Sequence, residues 1–253
     1  MLSELKDGHV QFKTEGGAIF STYRPPRELK DKNTFNPLTI RNYFTSELKL
    51  GKNKKLEYGI LGNNIGYLRI STFKKDSWEE SDLSEALFYL KNTNGLIIDV
   101  RNNNGGSSKM TKMVIGRLTE FKIRNLPIKY NGHWREADFI EPIGSSQYLR
   151  PIAILINGAC FSSTEDFLAI CDQLPQIALI GDTTAGGSGN PDWYFLSGSK
   201  SIRICRSYIC RMDSLPIEWN GISPDIRIVQ TEKDLKNGVD KQLEYAMKYL
   251  NRQ

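Results

Sequence analysis

From residue 60 onward the apolar and polar positions fall into short, regular runs. "NIGYLRISTF" alternates and is rich in β-forming residues, which predicts a strand. Between Trp78 and Lys91, Leu83, Ala86, Leu87 and Leu90 recur at i, i+3, i+4 and i+7, one face of an amphipathic helix. "GLIIDV" is apolar almost throughout, as in a strand covered on both faces. A helix is expected over Lys112–Phe121, then a hairpin-like stretch through "PIKYNGHWREADFI". "IAILIN" and "IALIGD" read as two more buried strands, with a helix over Ser163–Gln173 between them. From "WYFLSG" to "RMDS" the chain is β-rich and expected to be antiparallel. The closing helix has Asp240 as N-cap and Leu243, Ala246, Met247 and Leu250 on one face. Upstream of residue 55 the pattern breaks down, and "YRPPRELKDKNTFNP" predicts a loosely structured lead-in or the remnant of a cap.

Strands alternating with helices argue for an α/β fold with a mainly parallel sheet, extended by antiparallel strands. In such sheets ligands bind beyond the carboxyl ends of the strands, where both "DVRNNNGG" and "INGACFSSTED" lie. The expected division is an N-terminal segment over 1–58 and a core domain over 59–253.

Composition changes this picture little. With 253 residues, 39% apolar and 25% charged, the chain can bury a core like any globular protein. Its longest apolar runs are about six residues against the roughly 20 of a spanning helix, so no membrane span is expected. "MLSELKDGHV" has no basic-then-apolar leader pattern. The net charge of +5 is scattered apart from "KDKN" and "GKNKK", which speaks against nucleic acid as a partner. Four cysteines (Cys160, Cys171, Cys205 and Cys210) without a CxxC pair, and only two histidines, argue against a structural zinc site. Cys205 and Cys210 fall on opposite faces of a strand and would pair only across a turn. No cofactor is implied.

Four short stretches carry candidate chemistry. In "INGACFSSTEDFLAI" a strand enters a polar turn and a helix starts at or just after Ser162. That position suits a nucleophile, with free amides and the helix dipole beside it, and equally an ordinary N-cap with Glu165 completing a capping box. "RNNNGG" places Gly105 and Gly106 at a strand end, where bare backbone serves either a ligand or a plain turn. "LKDGHV" holds His9, while His133 sits in the exposed-looking tip "NGHWRE". Glu218 precedes the turn in "IEWNGISPDIRI".

In this order the segments resemble the tail-specific, or C-terminal processing, serine peptidase superfamily. The resemblance rests on "LKDGHV", "NIGYLRISTF", "GLIIDVRNNNGG", "PIAILINGACFSSTEDF", "ALIGDTTAGGSGNP" and "NGISPDI", and spans most of the chain from residue 60 plus the piece around His9. It implies a crotonase-like ββα core and hydrolysis of peptide or unfolded-protein substrates through an acyl-enzyme. By the same resemblance, Ser162 is the nucleophile, and the N–H groups of Ser163 and of Gly105 or Gly106 form the oxyanion hole. Ser-Lys members place their base 25 residues after the serine; here that residue is Gly187, and no lysine occurs between Ser162 and Lys200. The chain is instead similar to the tricorn-core branch, whose base is a histidine in a "DGH"-like motif. His9 matches it, and Glu218 matches the acidic partner.

About 50 residues separate His9 from the core, too few for the PDZ module that many members carry. The resemblance also implies a periplasmic or exported protein. The N-terminal region is short for a family member, which leaves room for site residues from another chain. A non-catalytic peptide-binding module on the same core, and a crotonase-type acyl-CoA enzyme, are the alternative readings; the oligomeric state stays open.

Overall fold

A computed structural model describes residues 2–144 and 147–253. The chain opens with the hairpin β1 (Gln11–Lys13) and β2 (Ile19–Ser21), followed by the short helices α1 (Pro26–Asp31) and α2 (Pro37–Ile40). Strands β3 (Lys49–Leu50), β4 (Leu56–Leu61) and β5 (Ile65–Ile70) lead into α3 (Glu80–Leu90), β6 (Gly95–Asp99) and α4 (Ser108–Ile115). Four short strands come next: β7 (Ile123–Arg124), β8 (Ile128–Tyr130), β9 (His133–Trp134) and β10 (Phe139–Ile140). Then follow β11 (Ile152–Ile156), α5 (Ser163–Cys171) and β12 (Ile177–Gly181). The chain closes with β13 (Pro191–Phe195), β14 (Ser201–Cys205), β15 (Ser207–Ile209), β16 (Ile226–Arg227), α6 (Glu232–Lys236) and α7 (Lys241–Leu250).

The apolar runs assemble into a sheet of order β16-β12-β11-β6-β5-β4-β3. Its five strands from β16 to β5 run parallel, and β4 and β3 add antiparallel pairs at one edge. Both faces are covered. The cross-strand row Leu68, Ile98, Ile154 and Leu179 packs with Leu83 and Leu90 of α3, Val114 of α4 and Phe167 of α5. The alternate row Tyr67, Ile97 and Ala153 packs with Leu243, Ala246 and Leu250 of α7. This two-sided burial is why β6 and β11 carry no polar alternation.

Two expectations shift. The helix after β6 starts at Ser108 rather than Lys112, because Ser107 caps the N–H of Lys109, and it stops at Gly116. A Cβ at Gly116 would sit 2.7 Å from the Glu141 carbonyl, so the chain turns where that neighbour crosses. The first 55 residues are also more ordered than their polarity suggested. β1 pairs with β14 and β2 in a second, antiparallel sheet of order β13-β14-β1-β2, which carries the segment just before β1 over the carboxyl end of the main sheet. Strands of three residues give too short an alternation to read, and their partner lies about 190 residues away, Gln11 opposite Arg203.

Candidate functional site

The site is built where β6 and β11 end. β6 finishes at Asp99, and Arg101 turns back into the protein with no solvent exposure. Its guanidinium bonds Asp99 at 2.7 Å and Asp240 at 2.9 Å, and Tyr67 donates to Asp99 at 2.9 Å. Burial opposes the charge on Asp99, but Arg101 outweighs it and holds that carboxyl below its usual range. The strand end is thereby tied to the N-terminus of α7.

Beyond it the Asn-Gly loop is fixed by a side chain. Asn103, fully buried, donates to the Ile70 carbonyl and accepts the Gly105 N–H, each at 2.9 Å. The N–H of Gly106 has no partner among the described residues. A Cβ on Gly105 would lie 2.6 Å from the Phe161 carbonyl, and one on Gly106 would lie 2.2 Å from the Phe73 backbone. Only glycine allows this approach at φ of 84° and 149°.

β11 runs into Asn157–Phe161, and the Phe161 N–H bonds the Asn103 carbonyl at 3.1 Å, joining the two loops. Ser162 then adopts φ 58° and ψ −131°, a strained conformation for a residue with a Cβ, costing about 1–3 kcal/mol. Its N–H bonds the Gly187 carbonyl at 2.9 Å and Glu165 at 3.2 Å. Ser163 opens α5, and its N–H has no partner among the described residues. Glu165, fully buried, receives N–H groups from Gly186 and Gly187 at 2.8 Å and the hydroxyl of Thr184. Burial pushes its carboxyl up to about 8 against these donors, and pushes Asp166 up to about 6.

His9 arrives from the N-terminal turn. Its Nε2 lies 2.9 Å from Ser162 Oγ, although 153 positions separate the two. The ring is buried, stacks on Phe161 with centroids 4.5 Å apart, and presents Nδ1 to an Asp7 oxygen at 3.5 Å. Asp7 also accepts the His9 N–H at 2.7 Å. Burial raises the Asp7 carboxyl, but the bonds from His9 outweigh it and leave it below its ordinary range.

Glu218 is placed differently from the expectation. Its Oε2 accepts the Ser188 N–H at 2.8 Å and its Oε1 is buried without a hydrogen-bond partner, so Asp7 is the carboxylate facing His9. Sequence reading set Asp7 and Asn103 inside its motifs but gave neither a role; "DGH" and the asparagine two before Gly105 were the available signals. His133 lies exposed on β9.

Gly187 fills the position of the absent lysine for a steric reason. A Cβ there would come within 1.9 Å of the Phe161 ring, which itself supports His9. Beside the Ser162–His9 pair opens a cleft of about 350 Å³, with Gly106 on one wall and Arg24, Lys74 and Arg203 at its rim. Among the described residues, Asp7, His9 and Cys205 are the cluster whose donor atoms could hold a metal ion. All four cysteines are free thiols. No helix among the described residues is long and apolar enough to cross a membrane.

A solved structure of a candidate peptidase from Parabacteroides merdae superimposes with a TM-score of 0.84 at 27% identity, over 98% of this chain and 79% of that one. The carboxy-terminal processing protease CtpA of Bacillus subtilis is 28% identical over 169 residues, 65% of this chain and 35% of its own length. The nisin-resistance protein of Lactococcus lactis is 26% identical over 201 residues, 72% of this chain and 62% of its own. The chain thus spans less than two thirds of the length of these two curated relatives. The profile of peptidase family S41 matches residues 64–228, a span that holds the Asn-Gly loop, the Ser162 turn and the Glu165-bound loop at Gly186–Gly187, and the chain belongs to that family.

Proposed function

We propose that this protein is a serine endopeptidase acting through an acyl-enzyme on Ser162, with His9 as general base. The observation that carries this reading is the 2.9 Å contact between His9 Nε2 and Ser162 Oγ, made across the fold by a buried ring. A serine that merely capped α5 would turn its hydroxyl to the helix N–H groups. Here Ser162 and Glu165 do form a capping box, and Oγ also lies within hydrogen-bond distance of a buried imidazole that capping does not require, which supports catalysis over a binding module on the same core. The strand-helix alternation around the sheet supports a crotonase-like ββα core.

The chemistry follows from the geometry. A peptide lies in the cleft with its scissile carbonyl over Ser162. His9 Nε2 takes the Oγ proton as Oγ bonds the carbonyl carbon, and the oxygen becomes an oxyanion held by the N–H groups of Gly106 and Ser163. Gly105 supplies the turn, its own N–H being committed to Asn103. Asp7, ionised beside Nδ1, favours the imidazolium that forms. His9 then gives the proton to the leaving amine, and a water repeats the sequence to free the acyl product. Glu218 holds the Ser188 loop behind this pair. Location outside the cytoplasm is proposed from the family resemblance.

The test is labelling with a fluorophosphonate, mapped by mass spectrometry, alongside hydrolysis of an unfolded protein. Wild type labels on Ser162. S162A neither labels nor hydrolyses, and H9A loses about 10²–10⁴ in rate, the usual worth of a general base. Unlabelled, well-folded wild type would overturn the reading.

A further inference from the structure

Behind the Ser162–His9 pair, three side chains bring potential metal-ligand atoms together. His9 Nδ1, an Asp7 carboxylate oxygen and Cys205 Sγ all lie within 4.8 Å of one another. Nδ1 is buried with no hydrogen-bond partner, on a residue only 4% exposed. Asp7 Oδ1 stands 3.5 Å from it. Two ligands each about 2.0–2.1 Å from one tetrahedral ion are roughly 3.4 Å apart, so this pair already has the required separation. Cys205 ends β14, and its thiol lies 3.6 Å from the Ser188 carbonyl and also bonds the Asp7 carboxylate. Glu218 Oε1 is likewise buried without a hydrogen-bond partner. The cysteine spacing that excludes a zinc finger does not bear on ligands gathered from two distant segments.

We propose that Asp7, His9 and Cys205 bind a thiophilic divalent cation of the Zn²⁺ class, and that its binding switches the peptidase off. The switching rests on the serine-peptidase reading; the site itself does not. A base at Nε2 needs a free lone pair there and its proton on Nδ1. A cation on Nδ1 displaces that proton, and the neutral ring then carries its single proton on Nε2, facing Ser162 Oγ. Ser162 has nowhere to send its own proton. Coordination also releases the Cys205 thiol proton to solvent, so one proton leaves per ion bound, and nothing is oxidised or reduced. An oxygen, nitrogen and sulfur set selects Zn²⁺ over Mg²⁺ or Ca²⁺.

The experiment uses Co²⁺ as a spectroscopic probe and Zn²⁺ as the inhibitor. In S162A, which cannot turn over, Co²⁺ gives a thiolate-to-metal charge-transfer absorption that Zn²⁺ displaces and that S162A/C205S lacks. In the hydrolysing enzyme, C205S keeps the basal rate, while half-inhibition needs at least about tenfold more Zn²⁺, and EDTA restores both proteins. Equal Zn²⁺ midpoints in C205S and wild type, or no Co²⁺–thiolate band in S162A, would overturn the proposal. Because the Co²⁺ band needs no turnover, a chain that hydrolyses nothing still reports on the site.

Discussion

Ser162 holds its position against its own backbone preference. At φ 58° a Cβ is strained, so S162G should be more stable than S162A by about 1 kcal/mol, both being inactive. Urea unfolding of the two variants checks this. Asp7 lies 3.5 Å from His9 Nδ1 while Glu218 accepts the Ser188 N–H, so under the proposed mechanism D7N should lower kcat at least tenfold while E218Q lowers it less. Equal losses in both variants would return the pairing role to Glu218. A side chain at Gly187 has to displace Phe161, and with it the support of His9, so G187A should cost activity although it touches no substrate. At this scale the sequence was legible where a motif named the atom that acts. Ser162, His9 and Gly106 line one cleft, and Ser163 follows Ser162 at the start of α5. Asp7 was harder to assign, because two carboxylates were available and only distance decides between them.

At the scale of elements, the start of α5 is governed by Glu165. Burial raises its folded carboxyl to about 8 from the ordinary 4.5. A carboxyl raised in the folded state binds protons more tightly there than when unfolded. Its contribution to stability is therefore complete below about 4.5 and is lost as pH rises through about 8. Urea midpoints should fall from pH 5 to pH 8, and E165Q should flatten that fall. The same substitution sets an amide NH₂ among the N–H groups that converge on the Glu165 oxygens, so E165Q should also lower activity through the Ser162 turn. The strand-and-helix order along the main sheet was readable because each element buries a face with its own period. The boundaries of α4 were not, since Ser107 and the neighbour at Gly116 set them.

For the whole molecule, the cleft carries a field. Arg24 is paired with Glu28, but Lys74 and Arg203 have no carboxylate partner among the described residues. Peptides with acidic residues near the scissile bond should therefore show the higher kcat/KM, with the preference weakening as salt screens it. K74E and R203E should each reverse the preference severalfold without changing hydrolysis of neutral peptides; a salt-independent preference would exclude the field as its cause. Arg101 acts at the same scale, tying β6 to α7. R101M strands two buried carboxylates and should cost about 3–5 kcal/mol, read from denaturant unfolding.

The sequence by itself determined the alternating α/β core, the apolar faces of its strands and helices, and the two loops at the strand ends. Each of these is a local consequence of side-chain period or of glycine's freedom at positive φ. Only the tertiary structure decided that His9 Nε2 reaches Ser162 Oγ, that Asp7 lies against His9 Nδ1, and that Cys205 stands beside them. Those are contacts between positions up to about 200 residues apart, carried by the pairing of β1 with β14. No local pattern encodes that pairing, because strands of three residues do not by themselves specify a partner.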